Sequence, residues 1–226
     1  MKADSWVLAS GNPGKAREFE ALLSPLGVSL VMQAGFGIAD ADEPHPTFVE
    51  NALAKARHAC AGAGLASLAD DSGICVPGLG GAPGVRSARY SDPEPGQSRD
   101  RIDQANNRKL LREVSVLAQP VACFYYCVVV LMRHAADPRP IIAEGVWHGE
   151  LVAQPRGTHG FGYDPHFLPE VETLTAAEMD PLRKNQVSHR ARALADLVAA
   201  LAAEDGGDRS LRRDAVPQAS SRQEQA

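Results

Sequence analysis

Four segments of the chain carry apolar residues at every third or fourth position, and each predicts an amphipathic helix. Their apolar faces are Phe19, Leu22, Leu23 and Leu26 in the first segment; Val49, Leu53, Ala56 and Cys60 in the second; Ile102, Leu110, Leu111 and Val114 in the third; and Leu194, Leu197, Val198 and Leu201 in the last. Thr47 followed three residues later by Glu50 is a capping box, which predicts where the second helix begins.

Apolar runs between these helices predict strands. They begin at Trp6, at Val28, before Asp70, and at the runs VACFYYCVVVLMR (121–133) and IIAEGVWHGEL (141–151). The last two runs are expected to pair as antiparallel neighbours, whereas residues 77–96 are dense in glycine and proline and predict a loop. Because strands and helices alternate first and a hairpin follows, we predict an α/β fold with a mixed sheet.

The length and composition are those of one ordinary globular domain. The 226 residues are 44% apolar and 23% charged, and no internal repeat is visible. We therefore predict a single domain over residues 1–203. From Glu204 to residue 226 the chain is polar without an apolar period, so this tail is predicted to be disordered.

Charge and apolar content also limit the partners. A net charge of −5 argues against a nucleic-acid binder, which needs a basic surface. No stretch approaches the roughly 20 apolar residues of a membrane helix, and the start, MKADSW, lacks the apolar run of a signal peptide. The cysteines lie among apolar neighbours without zinc-binding spacing, which predicts reduced, buried thiols and a cytoplasmic location. They are Cys60, Cys75, Cys123 and Cys127.

The segment SGNPGK, Ser10 to Lys15, joins a predicted strand to a predicted helix. Glycines at such a corner let the backbone approach a phosphate, and the free N–H groups of the next helix attract an anion. Lys15 would add a full positive charge. By itself the corner favours the alternative of an ordinary turn with a solvated lysine, and it is neither a Walker loop nor a dinucleotide fingerprint.

Two carboxylate pairs are candidates for binding a metal ion. Asp70 and Asp71 end a predicted strand, so at least one of them is expected to project from the turn that follows. Asp42 and Glu43 lie in a polar loop before the second helix. Mg²⁺ needs only one or two carboxylates besides water and substrate phosphates. The alternative is that the aspartates cap a turn.

Cationic and aromatic residues form a second group of candidates. Lys184, His189 and Arg190 gather near the start of the last helix, where the helix dipole disfavours cations. They are either ligand donors or a solvated basic patch. Phe161 and Tyr163, in the motif GFGYDP, could stack on a flat base or plug a small core. Lys55, taken alone on the polar face of its helix, is predicted to be solvated, whereas Arg86 and Arg89 are equally compatible with ligand contact and with solvent exposure.

Six motifs taken together, in this order, resemble the inosine/xanthosine triphosphate pyrophosphatase family. They are SGNPGK (10–15), TFVENALAKA (47–56), ADDSG (69–73), LGGAPGVRSARY (79–90), GFGYDPHF (160–167) and SHRARAL (188–194). The resemblance runs from about Trp6 to Leu201. It implies an elongated mixed β-sheet flanked by helices, with two lobes and an active-site cleft between them, in a protein that is usually a homodimer.

The activity implied by this resemblance is hydrolysis of non-standard purine nucleoside triphosphates, namely ITP, dITP and XTP, to the monophosphate and pyrophosphate. Two alternatives stay open at this point. One is a related pyrophosphatase for pyrimidine or modified nucleotides, and the other is a nucleotide-binding regulator without chemistry.

The resemblance also implies site residues. Asp71 would be the general base and, with Glu43, would bind Mg²⁺, although Asp42 next to Glu43 leaves that ligand open by one position. The residues implied to bind substrate are Ser10, Gly11, Asn12, Pro13, Gly14, Lys15, Lys55, Ser72, Phe161, Gly162, Tyr163, Asp164, Lys184, His189 and Arg190.

Overall fold

The structure is a computed structural model that describes residues 5–24 and 27–213, without the side chains of 205–213. Its elements in chain order are β1 (Ser5–Leu8), α1 (Pro13–Leu23), β2 (Ser29–Met32), α2 (Phe48–Ala63), β3 (Ser67–Cys75), α3 (Arg99–Val114), β4 (Val121–Met132), β5 (Ile141–Leu151), β6 (Phe167–Pro169), α4 (Pro181–Val187) and α5 (His189–Arg213). Every predicted helix and strand is present. Leu26, assigned to the first apolar face, lies outside the described residues, as do residues 214–226 of the predicted tail.

The strands form one six-stranded sheet in the order β2-β1-β3-β4-β5-β6. Strand β1 runs parallel to both β2 and β3, while β3, β4, β5 and β6 pair antiparallel in succession. The parallel half follows from the helices that connect β1, β2 and β3, and the antiparallel half follows from direct connections. The predicted α/β class with a mixed sheet flanked by helices is therefore confirmed.

Strand β3 corrects one expectation. It does not end at Asp70 and Asp71 but continues to Cys75, with Asp70 opposite Val129 and Asp71 opposite Val128 of β4. Neither aspartate projects from a turn. Because successive side chains of a strand point to opposite faces, the two carboxylates lie on opposite sides of the sheet.

Helices cover both faces around these two aspartates. On one face, α2 packs Ala52 and Ala56 against a cluster that contains Val7 and Val128. On the other face, α1 and α5 pack against the sheet through a cluster that contains Leu8, Phe19, Leu23, Val129, Leu194 and Leu197. Helix α3 packs at the β4–β6 end, with Leu110 and Val114 buried in a third cluster.

The region 77–96 contains only short 3-10 turns and an isolated bridge, as its glycine and proline content predicted. The end of α5 differs from the predicted start of the tail, because the helix continues past Glu204 to Arg213. Glu204 forms ion pairs with Arg133 and with Arg139, at 2.6 Å for the latter, which stabilise this part of α5. Disorder of residues 214–226 stays a prediction.

The four cysteines are free and buried, as predicted. Among the described residues, no helix combines the length and the apolar content that crossing a membrane requires.

Candidate active site

A cavity of about 450 Å³ collects side chains from both ends of the chain. Most of the predicted site residues line it: Ser10, Gly11, Asn12, Lys15, Glu43, Lys55, Asp71, Ser72, Phe161, Gly162, Tyr163, His189 and Arg190. Pro13, Gly14, Asp164 and Lys184 do not line it. Pro13 and Gly14 lie between Asn12 and Lys15 in the chain, and Asp164 bonds to both the Phe161 backbone and Lys184. Of the two candidate metal ligands in the loop before α2, Glu43 lines the cavity and Asp42 does not.

The Ser10–Lys15 corner is shaped by its own sequence. Asn12 caps α1, since its Oδ1 accepts hydrogen bonds from the backbone N–H groups of Gly14 at 2.8 Å and Lys15 at 3.4 Å. Pro13 is the first helical residue, where its fixed φ and missing N–H carry no penalty. A Cβ on Gly11 would lie 2.6 Å from Asp40 Oδ2, so glycine lets the loop at residue 40 close against the corner.

On the α1 and α5 side of the sheet, Asp70 forms ion pairs with the side chains of Lys15 and Arg190. Its Oδ2 lies 2.8 Å from Lys15 Nζ and 3.6 Å from Arg190 Nε, and it accepts a hydrogen bond from Ser72 Oγ at 3.0 Å. Burial alone would raise the pKa of Asp70, but the charges of Lys15 and Arg190 outweigh it and hold the pKa well below its usual range. Asp70 therefore stays ionised and fixes both cations beside the cavity.

On the α2 side, Lys55 joins the other two carboxylates. Lys55 Nζ lies 2.6 Å from Glu43 Oε1 and 3.3 Å from Asp71 Oδ1, and Asn51 Nδ2 donates a hydrogen bond to Asp71 Oδ2 at 3.2 Å. Burial raises the pKa of Asp71; the charge of Lys55 opposes this, and repulsion from Glu43 adds to it. Burial also acts to raise the pKa of Glu43, but Lys55 reverses this and the pKa is lowered.

These two carboxylates fit a divalent cation that completes its shell with water and phosphate. Among the described residues, no group of three or more His, Cys, Asp or Glu side chains could hold a metal ion by itself. Glu43 and Asp71 nevertheless converge on a single cationic group, the ammonium of Lys55. Mg²⁺ suits this donor set because it is bound through one or two carboxylates together with substrate phosphates.

One wall of the cavity, next to the Ser10–Lys15 corner, is aromatic. The Phe161 ring lies beside Arg190, with 5.3 Å between its centroid and Arg190 Cζ, and a Cβ on Gly14 would come within 3.0 Å of it. The His189 ring stacks on Tyr125 with centroids 4.6 Å apart and an interplanar angle of 6°. A flat ring of a ligand would meet similar surfaces here.

His189 is fully buried, and among the described residues neither of its ring nitrogens has a hydrogen-bond partner. Burial lowers its pKa well below the ordinary value, and the charges of Arg190 and Lys184 lower it further. The ring is therefore neutral at pH 7, and one nitrogen can donate while the other accepts a hydrogen bond.

Asp164 and Lys184 support the aromatic residues from behind. Asp164 Oδ2 accepts hydrogen bonds from the backbone N–H of Phe161 at 2.9 Å and from Lys184 Nζ at 2.7 Å. Lys184 Nζ also lies 3.3 Å from Glu18, which pairs with Arg190. This buried network links α1, α4 and α5 to the Phe161 loop.

Several cavity residues were not predicted as site residues: Gln33, Asp40, Ser87, Arg89, Arg99, Asp103 and Tyr125. Arg89 donates to Glu43 through both terminal nitrogens, to Oε2 at 2.9 Å and to the backbone oxygen at 3.0 Å. Its place in the motif LGGAPGVRSARY was a signal, although the residue type alone left its role open. Asp40 and Asp103 lie in segments without a motif, so nothing in the sequence pointed to them.

The sequence matches one protein family over most of its length. The family model described as "Ham1 family" matches residues 6–200. A protein of Burkholderia pseudomallei named dITP/XTP pyrophosphatase is 58% identical over 195 residues, covering 86% of this chain and 92% of the relative. One of the same name from Neisseria meningitidis serogroup B is 53% identical over 201 residues, covering 89% and 98%.

Solved structures agree with this result. A HAM1 protein from Coxiella burnetii has a TM-score of 0.79 and 41% identity over 88% of this chain and 98% of its own. A nucleoside-triphosphatase / dITP/XTP pyrophosphatase from Mycobacterium abscessus has a TM-score of 0.66 and 36% identity over 87% and 99%.

Proposed function

The chain belongs to the Ham1 family, and we propose that it hydrolyses the non-standard purine nucleoside triphosphates ITP, dITP and XTP to the monophosphate and pyrophosphate. The observation that carries this proposal is the convergence of three unlike groups on one cavity. These are the Ser10–Lys15 corner, the carboxylates Glu43 and Asp71, and the aromatic wall at Phe161. The names of relatives at 53–59% identity support the same activity.

The charge distribution orients the substrate in the cavity. Lys15 would receive the phosphates, because its ammonium attracts anions. The first N–H groups of α1 already donate to Asn12, so the helix contributes its positive dipole end and not free donors. The base would then lie against Phe161, which also borders the corner at Gly14, and near His189. The triphosphate would extend from there toward Lys15 and Lys55, with the α-phosphorus near Asp71.

Asp71 is the proposed general base. It takes a proton from the attacking water; the water oxygen bonds to the α-phosphorus, and the bond from that phosphorus to the oxygen bridging to the β-phosphate breaks. Pyrophosphate leaves with its charge countered by Lys15 and Lys55.

Glu43 and Asp71 are proposed to hold Mg²⁺, which when bound would neutralise phosphate charge and acidify water. The ammonium of Lys55, now between the two carboxylates, would be available to the phosphates once a metal ion takes its place. Treatment with EDTA should therefore abolish pyrophosphate release, and added Mg²⁺ should restore it. Full turnover after chelation would remove Glu43 from its assigned role.

Selection of the base is proposed to rest on donors facing the 6-oxo group of hypoxanthine or xanthine. Adenine carries an amino group there, and a guanidinium such as that of Arg190 cannot accept a hydrogen bond, so two donors would face each other, which disfavours binding. Guanine shares the 6-oxo group, so its rejection must come from its 2-amino group.

A rate panel with product identification tests the function. We expect pyrophosphate and monophosphate from ITP, dITP and XTP, with kcat/KM values well above those for GTP, dUTP and dTTP. Preference for dUTP or dTTP would favour a pyrimidine pyrophosphatase instead. Tight binding of ITP without any product would favour a regulator, and stepwise release of orthophosphate would contradict the proposed cleavage site.

Assembly and location complete the proposal. The homodimer is supported by the resemblance to the family, and light scattering on the purified chain tests it. The cytoplasmic location is supported by four free, buried cysteines, which are typical of a reducing compartment.

A further inference from the structure

Two side chains of α3 bind the backbone of Gly162 from the same side. The Asp103 carboxylate accepts a hydrogen bond from the Gly162 N–H at 2.9 Å, and the Asn107 amide donates one to the Gly162 carbonyl oxygen at 2.8 Å. Asp103 and Asn107 are four residues apart, so they lie on one face of the helix. The two peptide groups that flank Gly162 are thus both fixed by α3.

Gly162 connects the aromatic residues in this wall of the cavity. It has a left-handed backbone, with φ of 65°, that glycine adopts without strain. Phe161 precedes it and Tyr163 follows it, and all three line the cavity. The orientation of the two flanking peptide groups therefore determines the direction in which Phe161 leaves the backbone.

Asp103 and Asn107, which we call the Gly162 clamp, are themselves held in place by their surroundings. Leu110 and Val114 anchor α3 in the same core cluster as Tyr163. The Asn107 amide also donates to the backbone oxygen of Asp103 at 2.9 Å, which fixes its rotamer. The Asp103 side chain is only 14% exposed and lies 3.1 Å from Arg99 Nε. Burial, opposed by the charge of Arg99, raises the pKa of Asp103.

We propose that Asp103 and Asn107 are positioning residues that hold Phe161 in the orientation that stacks on the base of the substrate. This inference rests on the proposed function, because it assigns the base to the Phe161 wall of the cavity. Without the clamp, the loop must be ordered by the substrate itself, and that cost appears in binding rather than in the chemical step. The main effect is then on KM, with little change in kcat.

The test compares Asn107→Ala and Asp103→Ala with the wild-type chain in ITP hydrolysis. Each variant loses one hydrogen bond to Gly162, and we expect KM to rise about two- to twelvefold, the range for losing one such bond. We expect kcat to stay within about twofold. Asp103→Asn keeps an acceptor oxygen and should recover part of the loss. Gln104→Ala, an exposed truncation on the same helix, is the matched control and should leave KM unchanged.

A double-mutant cycle separates positioning from general damage. If the clamp acts through Phe161, Asn107→Ala should cause no further rise in KM in a Phe161→Ala background. Hydrogen exchange gives a readout without catalysis, since Asp103→Ala should speed exchange of the Gly162 amide while core amides of α3 stay protected.

Two results overturn the inference: an unchanged KM in both alanine variants, or the same rise in KM with and without Phe161. A lower melting temperature and a lower apparent kcat with an unchanged KM would also overturn it, since loss of folded enzyme is what a purely structural role predicts. If the wild-type chain releases no pyrophosphate from ITP, the proposed function fails, and the inference fails with it. If the wild-type chain cleaves ITP but the alanine variants have an unchanged KM, the inference is refuted and the proposed function stands.

Discussion

Asp70 and Asp71 are neighbours in sequence, yet they have different surroundings because a strand turns successive side chains to opposite faces. Asp70 is completely buried against Lys15 and Arg190, and those charges hold its pKa well below its usual range in spite of burial. Asp71 faces Lys55 and Glu43 in the cavity, where burial raises its pKa. One carboxylate is thus suited to fixing cations and the other to accepting a proton.

We predict that Asp71→Asn lowers kcat for ITP at least about 100-fold, the low end of what a general base contributes. The fold should survive because asparagine has the same shape and can keep the hydrogen bond from Asn51. Steady-state rates and circular dichroism check both parts. Asp70→Asn is the contrasting variant, expected to lower the melting temperature because Lys15 loses its buried counter-charge and Arg190 keeps only Glu18. Near-wild-type rates for Asp71→Asn would remove Asp71 from the mechanism.

His189 makes stability depend on pH in a predictable direction. Its pKa in the folded protein lies well below the ordinary 6.5, so below pH 6.5 the unfolded chain binds a proton that the folded chain does not. The contribution of His189 to the free energy of unfolding should therefore be complete above pH 6.5. Below that pH the free energy of unfolding should fall by up to about 1.4 kcal/mol per pH unit because of this residue. Urea denaturation between pH 7.5 and 5 measures this slope. The variant His189→Phe, which can still stack on Tyr125, should flatten it, and an unchanged slope would contradict burial of a neutral ring.

Among the elements, helices and strands with a clear apolar period could be predicted from the sequence. The Thr47 cap is an example, since Thr47 Oγ1 accepts a hydrogen bond from the Glu50 N–H at 3.4 Å as the capping box implies. The continuation of β3 through two aspartates could not be predicted. Charged residues usually end a buried strand, and the cations that compensate them come from α1, α2 and α5. Local sequence carries no information about partners so distant in the chain.

The packing of β5 on α5 depends on Gly145. A Cβ at this position would lie 2.0 Å from the backbone oxygen of His189 and 2.6 Å from the backbone nitrogen of Ala193. Gly145→Ala should push the start of α5 away from the sheet, with a loss of stability of about 1–3 kcal/mol or more. Because His189 and Arg190 move with the helix, KM for ITP should rise as well.

Thermal unfolding and steady-state kinetics measure these two effects. Gly35→Ala is the matched control, since the nearest atom to its added Cβ is a Val31 side-chain carbon at 3.7 Å. If Gly145→Ala and Gly35→Ala were equally stable, the prediction that β5 and α5 must pack closely at Gly145 would be wrong.

The complete site is assembled from segments more than 170 residues apart in sequence, with Glu18 and Arg190 among those in contact. Each segment taken alone could be explained without a ligand. The six motifs in order resembled a known family, and that resemblance indicated a single active-site cleft. The residues that no motif marked, such as Asp40 and Asp103, reach the cavity only through the packing of their elements. Which side chains support the site from behind therefore required the structure.

Hydrolysis of ITP in water enriched in ¹⁸O, followed by mass spectrometry of both products, tests whether this cavity cleaves a triphosphate at its α-phosphorus. We predict that one solvent oxygen enters inosine monophosphate and none enters pyrophosphate, because Asp71 directs water to the α-phosphorus and Lys15 holds the leaving group. Solvent oxygen in pyrophosphate, or release of labelled orthophosphate, would contradict this account.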